Sequence, residues 1–183
     1  MSKTKSASEL QIMMNLSKTD ERSEFLNWIG PERMSQMVLV VKEGDESMPI
    51  TIIDDLAKVA KKQNINFGIQ QDFFYGHEFM EKLKNKAFAQ YFEKTINAEH
   101  NVQKLKVGRI LGFFEDQITM RYRIRTDPEY KGLALHGFVI NYEPVYFGIS
   151  KNGISNSTLN KLEQAFTRIN NNGTLDKIRN KDW

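Results

Sequence analysis

Apolar residues recur along this chain in two patterns, short continuous runs and helical stripes. Leu10, Ile12, Met13 and Met14 form one run and Met37–Val41 another, and Phe67-Gly68-Ile69 gives a third. Runs of this length read as buried strands. Leu133 to Ile140 and Val145 to Ser150 add two more predicted strands, and Glu93 to Ile96 a short one. Between them the spacing turns helical. Leu56, Val59 and Ala60 mark a helix after Asp54-Asp55. Phe79, Met80, Leu83, Ala87 and Tyr91 predict one helix over His77 to Phe92, and Val102, Leu105 and Val107 another that ends near Gly108. The clearest stripe is Leu159, Leu162, Phe166 and Ile169, with Asn156 or Ser157 as its cap and Gly173 at its end. Strands alternating with helices predict an α/β architecture.

The chemistry gathers at three turns. In Asn15-Leu16-Ser17-Lys18-Thr19-Asp20-Glu21-Arg22, Thr19 caps a helix and Asp20 and Glu21 occupy its first turn, where carboxylates favour the positive end of the dipole. Arg22 gains nothing from that dipole. It is either a bidentate clamp for an anion or a solvated cation paired with a nearby acid. Gln70-Gln71-Asp72-Phe73-Phe74-Tyr75-Gly76 follows the predicted strand at Phe67 to Ile69 and leads into a helix, a place where free backbone N–H groups favour anions. Phe73, Phe74 and Tyr75 either wall a site for an apolar or cationic group or pack into the core. Asp116 ends an apolar stretch and is placed to cap the segment Gln117–Ile124. Within that segment Met120-Arg-Tyr-Arg-Ile-Arg125 reads as a short amphipathic helix with a solvated basic side.

Composition narrows the function classes. The 183 residues are 40% hydrophobic and 27% charged, with 26 basic and 23 acidic side chains mixed along the chain for a net charge of +3. That leaves no nucleic-acid or membrane-surface footprint. There is no cysteine, and His77, His100 and His136 are widely spaced, so no metal site and no cofactor is expected. No apolar run approaches the ~18 residues of a membrane span. The first residues are basic but lack the apolar core of a signal peptide.

The order of these segments resembles the bacterial extracellular solute-binding proteins of family 3, the periplasmic polar amino acid receptors of ABC importers. Leu16-Ser17, Thr19 and Arg22, followed by Phe25, Trp28 and Gly30-Pro31, resemble the family's ligand-gripping segment. Gly108-Arg109 through Asp116 resembles the strand that ends on an acidic residue, and Gly173 to Trp183 resembles the terminal segment. The resemblance implies a periplasmic-binding-protein-like type II fold of two lobes joined by two crossover strands. Residues 1–41 would hold the remainder of lobe 1 and the first crossover, 42–145 lobe 2, and 146–183 the return crossover and C-terminal helices. The match begins only at Glu9-Leu10, so lobe 1 is expected to be incomplete. By the same resemblance Arg22 grips a ligand carboxylate with Ser17 and Asn15 beside it, and Asp116 holds the ligand's ammonium. Gln70, Asp72, Phe73, Phe74 and Tyr75 replace the usual small hydroxylated turn, which argues against a dicarboxylate ligand.

What the resemblance implies is a non-catalytic receptor for a small amino acid-like or amine ligand, feeding an ABC importer permease from the periplasm. Two alternatives share the fold, a sensing or interaction module and a dehydratase using Asp116, Glu115 or His77. Leu10–Met14, Trp28 and the helix Leu159–Ile169 are expected to lack their packing partners, which predicts an exposed apolar patch and a homodimer.

Overall fold

The computed structural model describes residues 11–180, so the readings on Glu9-Leu10 and on Trp183 lie outside the described residues. Those residues form two compact units. One contains the residues up to Met34 and from Glu143 onward, and the other is Ser35–Tyr142. The chain passes from one to the other on two long strands, β2 (Leu26–Lys42) and β6 (Leu133–Ser150).

The second unit is built on burial of both faces of its sheet. Its strand order is β6-β2-β5-β3-β4, with the first part of β6, β3 at Asn66–Gln70, β4 at Phe92–Thr95 and β5 at Ile110–Asp116. β3 runs parallel to β4 and β5, and β2 pairs antiparallel with β5 through Met37↔Asp116 to Val40↔Phe113. Neighbouring residues point to opposite faces. Phe114 and Leu39 therefore join one core with Phe67, Tyr75, Phe79, Phe88 and Phe92, while Phe113 and Val40 join the other with Val102, Leu105, Ile110 and Met120. This is why Met37–Val41 is continuously apolar.

Helices α2 (Ile53–Gln63), α3 (His77–Leu83), α4 (Lys86–Ala89), α5 (Ala98–Lys106) and α6 (Gln117–Thr126) complete that unit. The single helix expected over His77 to Phe92 is corrected to two. Asn85 Oδ1 accepts from the Ala87 backbone N–H at 2.9 Å and starts α4 afresh, and Phe92 belongs to β4. The break lets Phe79, Phe88 and Phe92 meet ring to ring, at 4.9 Å for Phe88–Phe92 and 5.1 Å for Phe79–Phe92.

In the first unit β1 (Ile12–Ser17) pairs antiparallel with β6, and β6 lies beside β2. Helix α1 (Asp20–Ser23) follows β1, and α7 (Asn156–Asn171) and α8 (Thr174–Arg179) close the described chain. Three readings need correction here. β1 is a strand but not a buried one, since Ile12 is 42% and Met14 68% exposed. The two strands predicted around Asn141–Pro144 are one, because β6 runs unbroken where the chain leaves the second unit and enters the first. The cap of α7 is Ser155, whose Oγ accepts from the Thr158 N–H at 3.1 Å, in place of Asn156 or Ser157. Trp28, expected to stand uncovered, is half-buried. Its ring meets Tyr146 edge-on at 6.1 Å and its indole N–H donates to Ser23 Oγ at 3.0 Å.

Ile12, Met14, Ile29, Phe147 and Ile149 on the strands face Leu162, Phe166 and Ile169 of α7 across an apolar groove of about 270 Å³. Phe147 and Phe166 touch edge-on at 6.0 Å. No residue of α7 is fully buried.

Two outcomes follow from the second unit's packing. A Cβ on Gly68 would stand 2.3 Å from Asn101 Oδ1, so Gly68→Ala is expected to destabilise by about 1–3 kcal/mol. Asn101→Ala should recover part of that loss, and urea unfolding of the two single variants and the double variant reads the coupling. The second outcome concerns Glu115, whose carboxyl burial pushes above its ordinary range. The Asp116 N–H bond opposes the shift, the Asp116 charge adds to it, and Arg123 opposes it. The folded state therefore binds that proton more tightly than the unfolded chain. The stability so contributed is complete below the ordinary carboxylate value and is lost as pH rises through the raised one. Glu115→Gln keeps an acceptor for the Asp116 N–H and removes this loss. Thermal melts should show it gaining on the parent protein as pH rises above the ordinary carboxylate range.

Candidate functional site

The first unit's polar centre is the turn from β1 to α1. The register with β6 shifts between Met13 and Leu16, where Asn15 takes a left-handed φ of 59°. Beyond it Ser17 lies opposite Val145. Thr19 caps α1 by accepting from the Arg22 N–H at 3.3 Å, as its place in the sequence predicts. Four-residue helices do not stand alone, and this one is tied at both ends. Ser23 Oγ donates to Thr19 O at 2.7 Å and accepts from Trp28 Nε1, while Lys151 Nζ donates to Ser23 O at 2.6 Å.

This framework fixes Arg22. Its Nη1 donates to Ser17 O at 3.0 Å, and no other protein acceptor among the described residues takes an N–H of its guanidinium. A guanidinium carries five such donors, so most of the fork is uncommitted. Burial pulls the Arg22 pKa down, and the charges of Glu21 and Glu143 partly offset this. The hydroxyl of Ser17, whose carbonyl holds Arg22, makes no protein hydrogen bond among the described residues. Asn15 is engaged elsewhere, with Oδ1 accepting from Arg33 Nη2 at 2.7 Å and its N–H donating to Glu32 Oε2 at 3.1 Å. The structure therefore joins Ser17 to Arg22 and directs Asn15 toward β2.

Glu143 escaped the sequence reading. Its Oε1 is sealed from solvent and has no hydrogen-bond partner among the described residues. It stands two residues before Val145 on β6, hence on the face shared by Val145 and its partner Ser17. The signal was present, as a carboxylate between apolar runs, but it read there as a break between two strands.

The second unit holds the remaining predicted residues. The Gln70 N–H donates to the Tyr75 hydroxyl at 2.7 Å, which folds the turn onto itself. Tyr75 is 1% exposed and packs on Phe79 and Phe114, so of the two readings of this residue the core one holds. Burial raises its phenol pKa, against the Gln70 bond. Phe73 leans on Tyr75 at 5.3 Å and Phe74 meets His77 edge-on at 5.1 Å, both half-buried. Asp72 is exposed with φ 60°.

Asp116 is 3% exposed and heavily engaged. Oδ1 accepts from the Thr119 N–H and hydroxyl, both at 3.0 Å, and Oδ2 from Ser35 Oγ at 2.7 Å. It is the N-cap of α6 and a tie to β2. Among the described residues no cluster of His, Cys, Asp or Glu is arranged to hold a metal ion, and no helix is long and apolar enough to cross a membrane.

No protein-family model and no curated protein matches the chain. Solved structures do. A histidine kinase sensor domain with similarity to periplasmic binding proteins superposes with a TM-score of 0.69 at 13% identity, covering 93% of this chain and 68% of that one. The ancestral amino acid-binding protein AncCDT-1, a precursor of cyclohexadienyl dehydratase, gives 0.65 at 20% identity, covering 91% and 66%. The amino acid ABC transporter substrate-binding protein AbpA of Streptococcus pneumoniae, bound to L-arginine, gives 0.63 at 18%, covering 89% and 63%. The chain thus spans about two thirds of the length of these structures. At such identities the likeness establishes architecture, and by that measure the chain has the periplasmic-binding-protein-like α/β fold of the amino acid-binding proteins, the fold its sequence resembles.

Proposed function

We propose that this protein is a non-catalytic receptor for a small amino acid-like or amine ligand whose carboxylate is held by Arg22. The observation that carries this reading is the guanidinium itself. It is half-buried, oriented by one bond to the Ser17 carbonyl, and otherwise unclaimed by protein acceptors among the described residues. A desolvated fork with open donors is suited to a bidentate carboxylate, and the Ser17 hydroxyl adds a donor beside it. In the second unit the exposed Asp72 and the half-buried Gln70, Phe73 and Phe74 are the proposed ligand-facing residues. Tyr75 supports them from the core, and Asp116 acts through the helix it caps. Asp72 disfavours a second carboxylate, so neutral and basic amino acids are preferred over glutamate and aspartate.

By resemblance the receptor serves an ABC importer permease from the periplasm. Ligand sensing uses the same binding step, and the sensor-domain neighbour favours it as the second reading. A dehydratase finds less support. Glu115 is bonded to the Asp116 N–H, Asp116 to Ser35 and Thr119, and His77 is exposed against Phe74.

The test is a thermal-shift screen of the protein L-amino acids followed by calorimetry of the best hit, since a bound ligand stabilises the fold by mass action. Arg22→Ala is expected to cost about 2–5 kcal/mol of binding with little change in melting temperature, and Arg22→Lys should also weaken binding because a point charge lacks the fork. Equal affinity in the parent protein and Arg22→Ala, or a dicarboxylate as the best hit, refutes the assignment.

The groove between β1 and α7 supports a second copy of this chain as a further partner. Among the described residues β1 ends the strand order and no strand pairs with its outer edge, while Ile12 and Met14 supply apolar contact. Light scattering over a dilution series should show a dimer that Met14→Glu converts to a monomer. A parent protein that stays monomeric at every concentration overturns this.

A further inference from the structure

We propose that Glu143 is the residue that selects for a cationic nitrogen in the ligand, its Oε1 accepting a hydrogen bond from an ammonium or guanidinium group of the molecule whose carboxylate Arg22 holds. This rests on the reading of Arg22 as a carboxylate clamp. It goes further in placing the acceptor for the positive pole within the first unit, on a residue outside the segments that carry the sequence resemblance.

Three observations converge on it. Glu143 Oε1 is sealed from solvent without a donor among the described residues, and a buried acceptor left unsatisfied costs more than an ordinary hydrogen bond is worth. Arg22 does not fill that need, because its one protein bond runs to the Ser17 carbonyl. Topology brings the two together all the same. Glu143 leaves β6 on the face of Val145, Val145 lies opposite Ser17, and Ser17 O carries the Arg22 guanidinium. Among the described residues the turn therefore presents an unfilled donor fork on α1 and an unfilled buried acceptor on β6, with the Ser17 hydroxyl of β1 also unengaged. A small molecule with a carboxylate at one end and a cationic nitrogen at the other satisfies both. A neutral or dianionic ligand leaves Glu143 unpaired or repelled.

The test compares the parent protein with Glu143→Gln and Arg22→Ala by calorimetry. The probes are the best-binding protein L-amino acid, its analogue lacking the α-amine and, where it has one, its analogue lacking the side-chain nitrogen. Glu143→Gln should weaken the intact amino acid about 10–100-fold while barely changing the analogue that lacks the recognised nitrogen. Which analogue escapes the effect tells whether the α-ammonium or a side-chain cation is read. A purely structural role would weaken all probes equally and lower the melting temperature. Glu143→Gln keeps the size and shape of the side chain, so a selective loss for the intact amino acid with little change in that temperature marks recognition of the ligand. Equal affinity in Glu143→Gln and the parent protein, or an unchanged ratio between amino acid and analogue, overturns the proposal. Should Arg22→Ala still abolish binding in that case, the carboxylate clamp survives without it. A parent protein that binds no amino acid overturns both.

Discussion

The constraint on which the second unit depends is the burial of both faces of its sheet. β2 and β5 lie side by side with Leu39 opposite Phe114 and Val40 opposite Phe113, and each strand sends alternate residues into two separate cores. At roughly 1.5–3 kcal/mol for each large side chain withdrawn from water, the rings of Phe67, Phe79, Phe113 and Phe114 outweigh any local preference of the segments joining them. The aromatic core then dictates where α3 must stop, how α4 folds back, and why Tyr75 turns inward. Gly68 belongs to the same arrangement, since the space a Cβ would need is occupied by Asn101.

The first unit is held differently. Among the described residues α7 packs on its sheet beside a groove lined by apolar side chains, and Arg179 of α8 donates to the Pro31 and Glu32 carbonyls of β2. What order it has around the candidate site comes from polar ties. Trp28 holds Ser23, Ser23 holds Thr19, Lys151 holds the end of α1, and Arg22 is fixed by the Ser17 carbonyl. A helix of four residues keeps its place because its ends are anchored from β2 and from the chain just beyond β6. The same anchoring holds the guanidinium fork oriented while leaving most of its donors uncommitted.

Asp116 and Arg22 show how one kind of sequence cue leads to two physical outcomes. Both stand at strand-to-helix turns. The carboxylate accepts from Ser35 and Thr119 and becomes a buried cap, whereas among the described residues the guanidinium finds one carbonyl and keeps donors in reserve. Net hydrogen-bond satisfaction, more than position in a motif, separates the two groups.

Much of this was readable along the chain. Period and punctuation located β3, α2, α5 and the strand at Met37–Val41, because those signals are local and the structure agrees with them. The Thr19 and Asp116 caps were legible for the same reason, since a cap is a contact between residues three apart. The order of motifs pointed to the fold that the solved structures share. What sequence could not decide were contacts between residues far apart in the chain. The break at Asn85 follows from Phe79, Phe88 and Phe92 needing to meet, and the exposure of β1 follows from what does and does not pack on its face. Tyr75 was left between ligand wall and core until Phe114 was placed beside it. Glu143 looked like an interruption between two strands until β6 was seen to run through it, with Oε1 buried and unpaired on the face it shares with Ser17. Local pattern determined the elements and their caps, and only tertiary packing decided which polar atoms found protein partners among the described residues and which did not.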